Sequence, residues 1–192
     1  ETPPNPANPV AIVAPAYDPH YTIFDLGEVP GVPDPLGGCV VKHDDPNKLL
    51  IVGESETLNA AVYSIGIKRG PCGHILGFEG TATKVLQSPF ADANLAYTQS
   101  GLMFYSQWPM NKISQVLPGS SMANRETDLL TLGIITTDDK GPGGIGFVPT
   151  GLPAAGELRI VSWPQGHWYH VELKADGPLF DVVGLTKKTQ IP

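Results

Sequence analysis

An all-β fold built from repeated four-stranded units is predicted by three observations: helical periodicity is nearly absent, glycine and proline are dense, and one strand motif recurs along the chain. Of 192 residues, 22 are Gly and 20 are Pro, roughly twice the usual share. They are scattered between short apolar runs and form no low-complexity tract, as in a chain of short strands and many turns. The one stretch with a helical look is Met122 to Leu130, where Asn124 is placed to cap a turn or two.

The repeat sets the architecture. A Gly-rich opening, Gly37-Gly38-Cys39-Val40-Val41, recurs as Asn94-Leu95-Ala96-Tyr97 and as Gly143-Gly144-Ile145-Gly146-Phe147. A second strand follows each: Leu49 to Val52, Leu102 to Tyr105, and Leu158 to Val161. In the third position Val62-Tyr63-Ser64-Ile65-Gly66-Ile67-Lys68 matches Trp168-Tyr169-His170-Val171-Glu172-Leu173-Lys174, with Ile113 to Val116 between them. A fourth strand is expected at Ile75 to Phe78, Asp128 to Leu132 and Phe180 to Val183.

Units at 35–90, 91–141 and 142–192 are thus about 50 to 56 residues long, a spacing that fits β-propeller blades; a β-sandwich of similar hairpins is the alternative. The organisation is an extended segment over 1–33, with one strand at Tyr21 to Leu26, followed by a single domain over 34–192. The core is expected from Val40, Leu50, Val52, Tyr63, Ile65, Phe104, Ile145, Phe147, Ile160, Tyr169 and Val171. Three blades do not close a ring, so other copies of the chain or a second chain fragment are expected to complete the sheet array.

Asp45-Pro46-Asn47-Lys48-Leu49-Leu50-Ile51-Val52-Gly53, Leu102-Met103-Phe104-Tyr105-Ser106-Gln107-Trp108-Pro109 and Gly144-Ile145-Gly146-Phe147-Val148-Pro149 carry a resemblance. The chain resembles, over about residues 34–192, exported six-bladed propeller proteins of Gram-negative bacteria, many of which end in a PEP-CTERM sorting signal. The resemblance implies a propeller fold and a secreted or cell-surface location, and it supplies no catalytic set. Members of that family run on for further blades after Ile191. Cys39 and Cys72 stand where core and turn residues are expected.

Composition narrows the function. Net charge is −7 with 12 Lys plus Arg and no basic stripe, so nucleic acid has little to hold it. No apolar run reaches 18 residues, and no membrane span is expected. The Pro-rich start, Glu1 to Pro6, has the look of a mature N-terminus after signal-peptide removal. Two cysteines permit one disulfide, although a simple blade sets Cys39 and Cys72 about 14 Å apart. There is no Gly-x-Ser-x-Gly, Walker loop, zinc-ligand cysteine pair or EF-hand spacing. Asp44-Asp45-Pro46-Asn47 and Asp138-Asp139 are expected to be turns.

A non-catalytic binding or scaffold module is therefore expected. A propeller hydrolase or lactonase holding a divalent ion near Asn94 is a weaker alternative. Between them stands a metal-binding reading, which rests on Trp163-Pro164-Gln165-Gly166-His167-Trp168-Tyr169-His170. On a strand His167, Tyr169, Val171 and Leu173 share the core face, and Trp168, His170, Glu172 and Lys174 share the other. Imidazole is a common copper or zinc ligand. Trp168-Tyr169-His170 resembles the copper(I) site of methanotroph surface proteins, in which the tryptophan is oxidised to kynurenine. That likeness implies one copper ion held by Trp168 and His170, completed by a distant histidine from His20, His43 or His74.

Overall fold

The computed structural model describes residues 12–17, 20–21, 23–132, 141–163 and 165–190, without the side chains of Lys188 and Gln190. The described residues form twelve strands in three four-stranded antiparallel sheets, with no helix. Each sheet is a meander of consecutive strands. The first holds β1 (Cys39–Val41), β2 (Lys48–Gly53), β3 (Ala61–Arg69) and β4 (Ile75–Gln87). The second holds β5 (Ala91–Tyr97), β6 (Met103–Gln107), β7 (Lys112–Val116) and β8 (Arg125–Asp128). The third holds β9 (Pro142–Phe147), β10 (Leu158–Ser162), β11 (His167–Asp176) and β12 (Leu179–Gln190).

The sheets stack face to face in chain order, because each alternates apolar residues to both faces, as sheets covered on two sides do. Leu50, Val52, Val62 and Leu86 of the first sheet pack on Leu95, Met103, Tyr105 and Val116 of the second. The opposite face of the second sheet, with Phe104 and Ile113, packs on Ile145, Leu158, Ile160, Tyr169 and Val171 of the third. Phe104 meets Phe147 edge to face, ring centroids 5.4 Å apart, a favoured aromatic geometry. Of the expected core, Val40, Tyr63 and Phe147 are only half-buried, each packed at the margin of a cluster.

Polar links fix the stack. Gln115, wholly buried on β7, donates through Nε2 to the Phe180 carbonyl at 2.6 Å and accepts the Phe180 N–H through Oε1 at 2.8 Å. Arg125 on β8 pairs with both Asp176 and Asp181 of the β11–β12 hairpin. The first strands lie side by side, so closely that a Cβ on Gly38, the residue before β1, would fall 2.0 Å from the Ala93 carbonyl oxygen of β5.

Two expectations need correction, and the cysteine pairing left open by the sequence is decided. Arg125–Asp128 is an edge strand and no helical turn, because its N–H and C=O groups pair with β7. Residues 23–29 form no strand, and the segment from Val29 to Val32 lies against the outer face of the first sheet; Thr22, within the expected strand, lies outside the described residues. There Val29 is buried against Ile51 and Ile65, and Ala82 donates to the Pro30 carbonyl at 2.7 Å. Cys39, on β1, and Cys72, in the β3–β4 turn, are both exposed and unbonded. The turn at Asp44 to Asn47 is formed, with the Asn47 N–H donating to Asp45 Oδ1 at 3.0 Å. Glu1 to Pro6 and Asp138-Asp139 lie outside the described residues.

Candidate functional site

In an antiparallel meander the first and second hairpins lie at opposite ends. The second hairpins of all three sheets, at 54–60, 108–111 and, among the described residues, 163 and 165–166, therefore gather at one end together with the heads of β5 and β9. There Glu56, Asp92, Trp108, Gly143, Gly144 and Trp163 line a cleft of about 330 Å³, near the lower bound for small-ligand sites. Trp108 and Trp163 hold matching positions, each the first residue after the second strand of its sheet and each followed by proline.

The backbone around the cleft is held in costly conformations. Glu54 (φ 50) and Glu56 (φ 65) are both left-handed, a strain on the order of 1–2 kcal/mol each for a residue with a side chain. Three bonds over-determine this turn: Glu54 N–H to the Pro33 carbonyl (3.0 Å), Ser55 N–H to Pro35 (2.9 Å) and Glu56 N–H to Ala91 (3.0 Å). The last of these joins the first sheet to the second and sets Glu56 beside Asp92.

The two tryptophans are fixed through Gly141. Its backbone lies against the Trp108 indole, so that a Cβ would fall 2.2 Å from Cε3. Its carbonyl accepts the Trp163 N–H at 3.1 Å, and its own N–H donates to Oδ1 of buried Asn111. Trp108 itself donates its backbone N–H to the Phe90 carbonyl at 2.9 Å.

Asp92 has its carboxyl pushed up to about 6, first by burial, then by the charge of Glu56 and a hydrogen bond with it. Near neutrality the pair is a concentrated negative charge, and no Lys, Arg or His side chain among the described residues lines the cleft. Perturbed carboxyls in a strained cleft mark functional sites more often than chance.

The residues singled out for metal binding stand elsewhere. Trp168 and His170 share the outer face of β11 as expected, and His170 Nε2 lies 3.7 Å from Glu157 Oε2. His43 is in the β1–β2 turn, at the opposite end from the Trp108 cleft. Its Nε2 is 3.2 Å from the Gln99 carbonyl and its ring lies against Tyr97. His43 and His170 border one cleft of about 730 Å³ between the second and third sheets. His74 is exposed in the β3–β4 turn and His20 is exposed before the first sheet. No group of three or more His, Cys, Asp or Glu among the described residues is placed to hold a metal ion. Asn94 donates through Nδ2 to the Ile145 carbonyl at 3.1 Å, which ties β5 to β9.

Glu56 and Asp92 were not recognisable as a pair, since 35 residues of chain separate them. The repeated Trp-Pro dipeptide at 108–109 and 163–164 is the signal that marks this end of the fold. Comparison with family models, curated proteins and solved structures finds no match for the chain.

Proposed function

We propose that the protein is an exported, non-catalytic binding module of open β-propeller type that takes a small organic cation, a primary or quaternary ammonium, between Trp108 and Trp163. One observation carries the reading: two indoles at matching positions of successive sheets share a cleft with a carboxyl pair that no cation among the described residues compensates. Indole is the best cation–π acceptor among side chains, and a bound cation supplies the counter-charge that the pair lacks. The blade motifs and the resemblance to PEP-CTERM-sorted propellers support the fold type and favour a secreted or cell-surface location in a Gram-negative bacterium. Consecutive four-stranded meanders, stacked with their first strands together, support the blade reading as well.

Hydrolysis is the weaker use of this site. The two carboxyls lie close enough to raise the Asp92 carboxyl, whereas glycoside hydrolysis sets them about 5 to 9.5 Å apart to admit sugar or water. Tryptophan fluorescence titrated with tetramethylammonium chloride at pH 8, against sodium chloride at equal ionic strength, tests the proposal. A saturable change that Glu56→Gln and Asp92→Asn each abolish is expected, and an identical response to both salts would refute it.

Copper or zinc binding by His170 with His43 is a second reading, favoured by their shared cleft. Metal analysis of protein purified from its native source tests it. One equivalent lost in His170→Ala is the expected result, and a metal-free chain of unmodified mass is the contrary one.

A further inference from the structure

The row of side chains that β10 turns toward the second sheet begins with Leu158 and Ile160, both in the core between the two sheets. By the alternation of a strand its third member is Ser162, so the apolar row ends in a hydroxyl, and that residue is 3% exposed. Ser162 lines the cleft of Trp108 and Trp163 together with Glu56 and Asp92. Its Oγ accepts the His167 N–H at 3.2 Å, which leaves the hydroxyl proton to be donated elsewhere. No acceptor among the described residues takes it. A buried donor without an acceptor costs free energy that a ligand oxygen recovers.

The backbone opens at the same place. On β9, Val161 pairs with Gly144 and Ser162 with Pro142, so Gly143 is the extra residue of a β-bulge and stands outside the ladder. On β5, Ala91 and Leu95 pair with β6 across a second irregularity, and Asp92 lies inside it. Bulges recur beside active sites, where they re-aim side chains. Both ladders are broken at the cleft wall, one beside the hydroxyl and one at the carboxyl pair.

We propose that the ligand of this cleft is an amino alcohol, with its ammonium at Glu56 and Asp92 and its hydroxyl oxygen accepting from Ser162; the inference rests on the ammonium reading above and adds the far end of the ligand. What the cleft supplies separates the possible far ends. A carboxylate, as in a betaine, would enter a space of about 330 Å³ that already holds two carboxyls and, among the described residues, no Lys, Arg or His, so like charges would oppose it. An alkyl end would leave the Ser162 donor buried and unmade. A hydroxyl takes the Ser162 proton and adds no charge. Because one small cleft holds both ends, the carbon chain between them is short.

Isothermal titration of the full chain at pH 8 tests this, with choline and with propyltrimethylammonium, in which a methyl stands where choline has its hydroxyl. Choline is expected to bind about five-fold more tightly, the factor that one net hydrogen bond makes. Ser162→Ala is expected to bring the two affinities together while circular dichroism keeps its β signal. If that variant loses its β signal, the wild-type amides of Gly143 and Ser162 serve instead, and they are expected to shift with choline and not with propyltrimethylammonium. Equal affinity of the wild type for the two cations would overturn the amino-alcohol inference and leave the ammonium reading standing, whereas binding of neither would overturn both. A choline preference that survives in folded Ser162→Ala, or amide shifts common to both cations, would also overturn the inference.

Discussion

Asp92, the second residue of β5, lies beside Glu56 of the β2–β3 turn, whose N–H donates to the Ala91 carbonyl at 3.0 Å, so an acid pair spans the junction of the first two sheets. Two chemically similar groups are brought together by the stacking of two meanders. Burial and mutual repulsion are the cost of that placement.

The cost has a sign. With its carboxyl pushed up to about 6, folded Asp92 holds a proton that the unfolded chain releases near pH 4. Its contribution to stability is full below pH about 4 and is lost as pH rises through about 6. Asp92→Asn removes this loss. The variant gains on wild type between pH 4 and 7.5, with a melting temperature at the higher pH raised by roughly 2–4 °C, the shift that about 1 kcal/mol makes in a chain of this size after allowance for partial exposure. A melting difference independent of pH would contradict the pairing.

Gly141→Ala tests how the two tryptophans are held. The residue sits at φ +62, and its new methyl would enter the Trp108 ring. Left-handed strain adds about 1–2 kcal/mol. The expected outcome is a red-shifted tryptophan emission with loss of tetramethylammonium binding while the β signal of circular dichroism persists. Unchanged emission and binding would show that Trp108 is not held against Gly141.

Gln115→Ala tests the junction of the second and third sheets. It leaves both the N–H and the C=O of Phe180 without their partner, at about 1–3 kcal/mol for each buried group not reached by water. Urea unfolding is expected to show a total loss of about 2 to 4 kcal/mol. A loss below about 0.5 kcal/mol, the size of an ordinary surface change, would mean that Gln115 does not join the sheets.

The repeat was legible because strands buried on both faces keep their apolar character along the chain. Val62 to Lys68 and Trp168 to Lys174 therefore aligned by sequence, and both are third strands. Arg125-Glu126-Thr127-Asp128 was not legible as a strand, since its polar side chains carry no alternation and β7 alone supplies its pairing. Tyr21 to Leu26 has the converse problem. Its pattern suits a strand, yet residues 23–29 have no strand pairing, and it is Val29 and Val32 that cover the first sheet. Trp168 invited a ligand role because the sheet face it shares with His170 shows no packing partner in the sequence pattern. The Glu56–Asp92 pair arises from stacking between units, which no local pattern encodes.

The central claim concerns the end of the stack where the second hairpins meet, and amide and indole chemical-shift mapping during a tetramethylammonium titration addresses it most directly. The account predicts saturable shifts at the Trp108 and Trp163 indole N–H groups and at the amides of 54–56, 91–93 and 143–144, weakening as pH falls through about 6 when Asp92 takes up its proton. Shifts confined to the Trp168 face or to the His43–His170 cleft, or no saturable shift at pH 8, would contradict it.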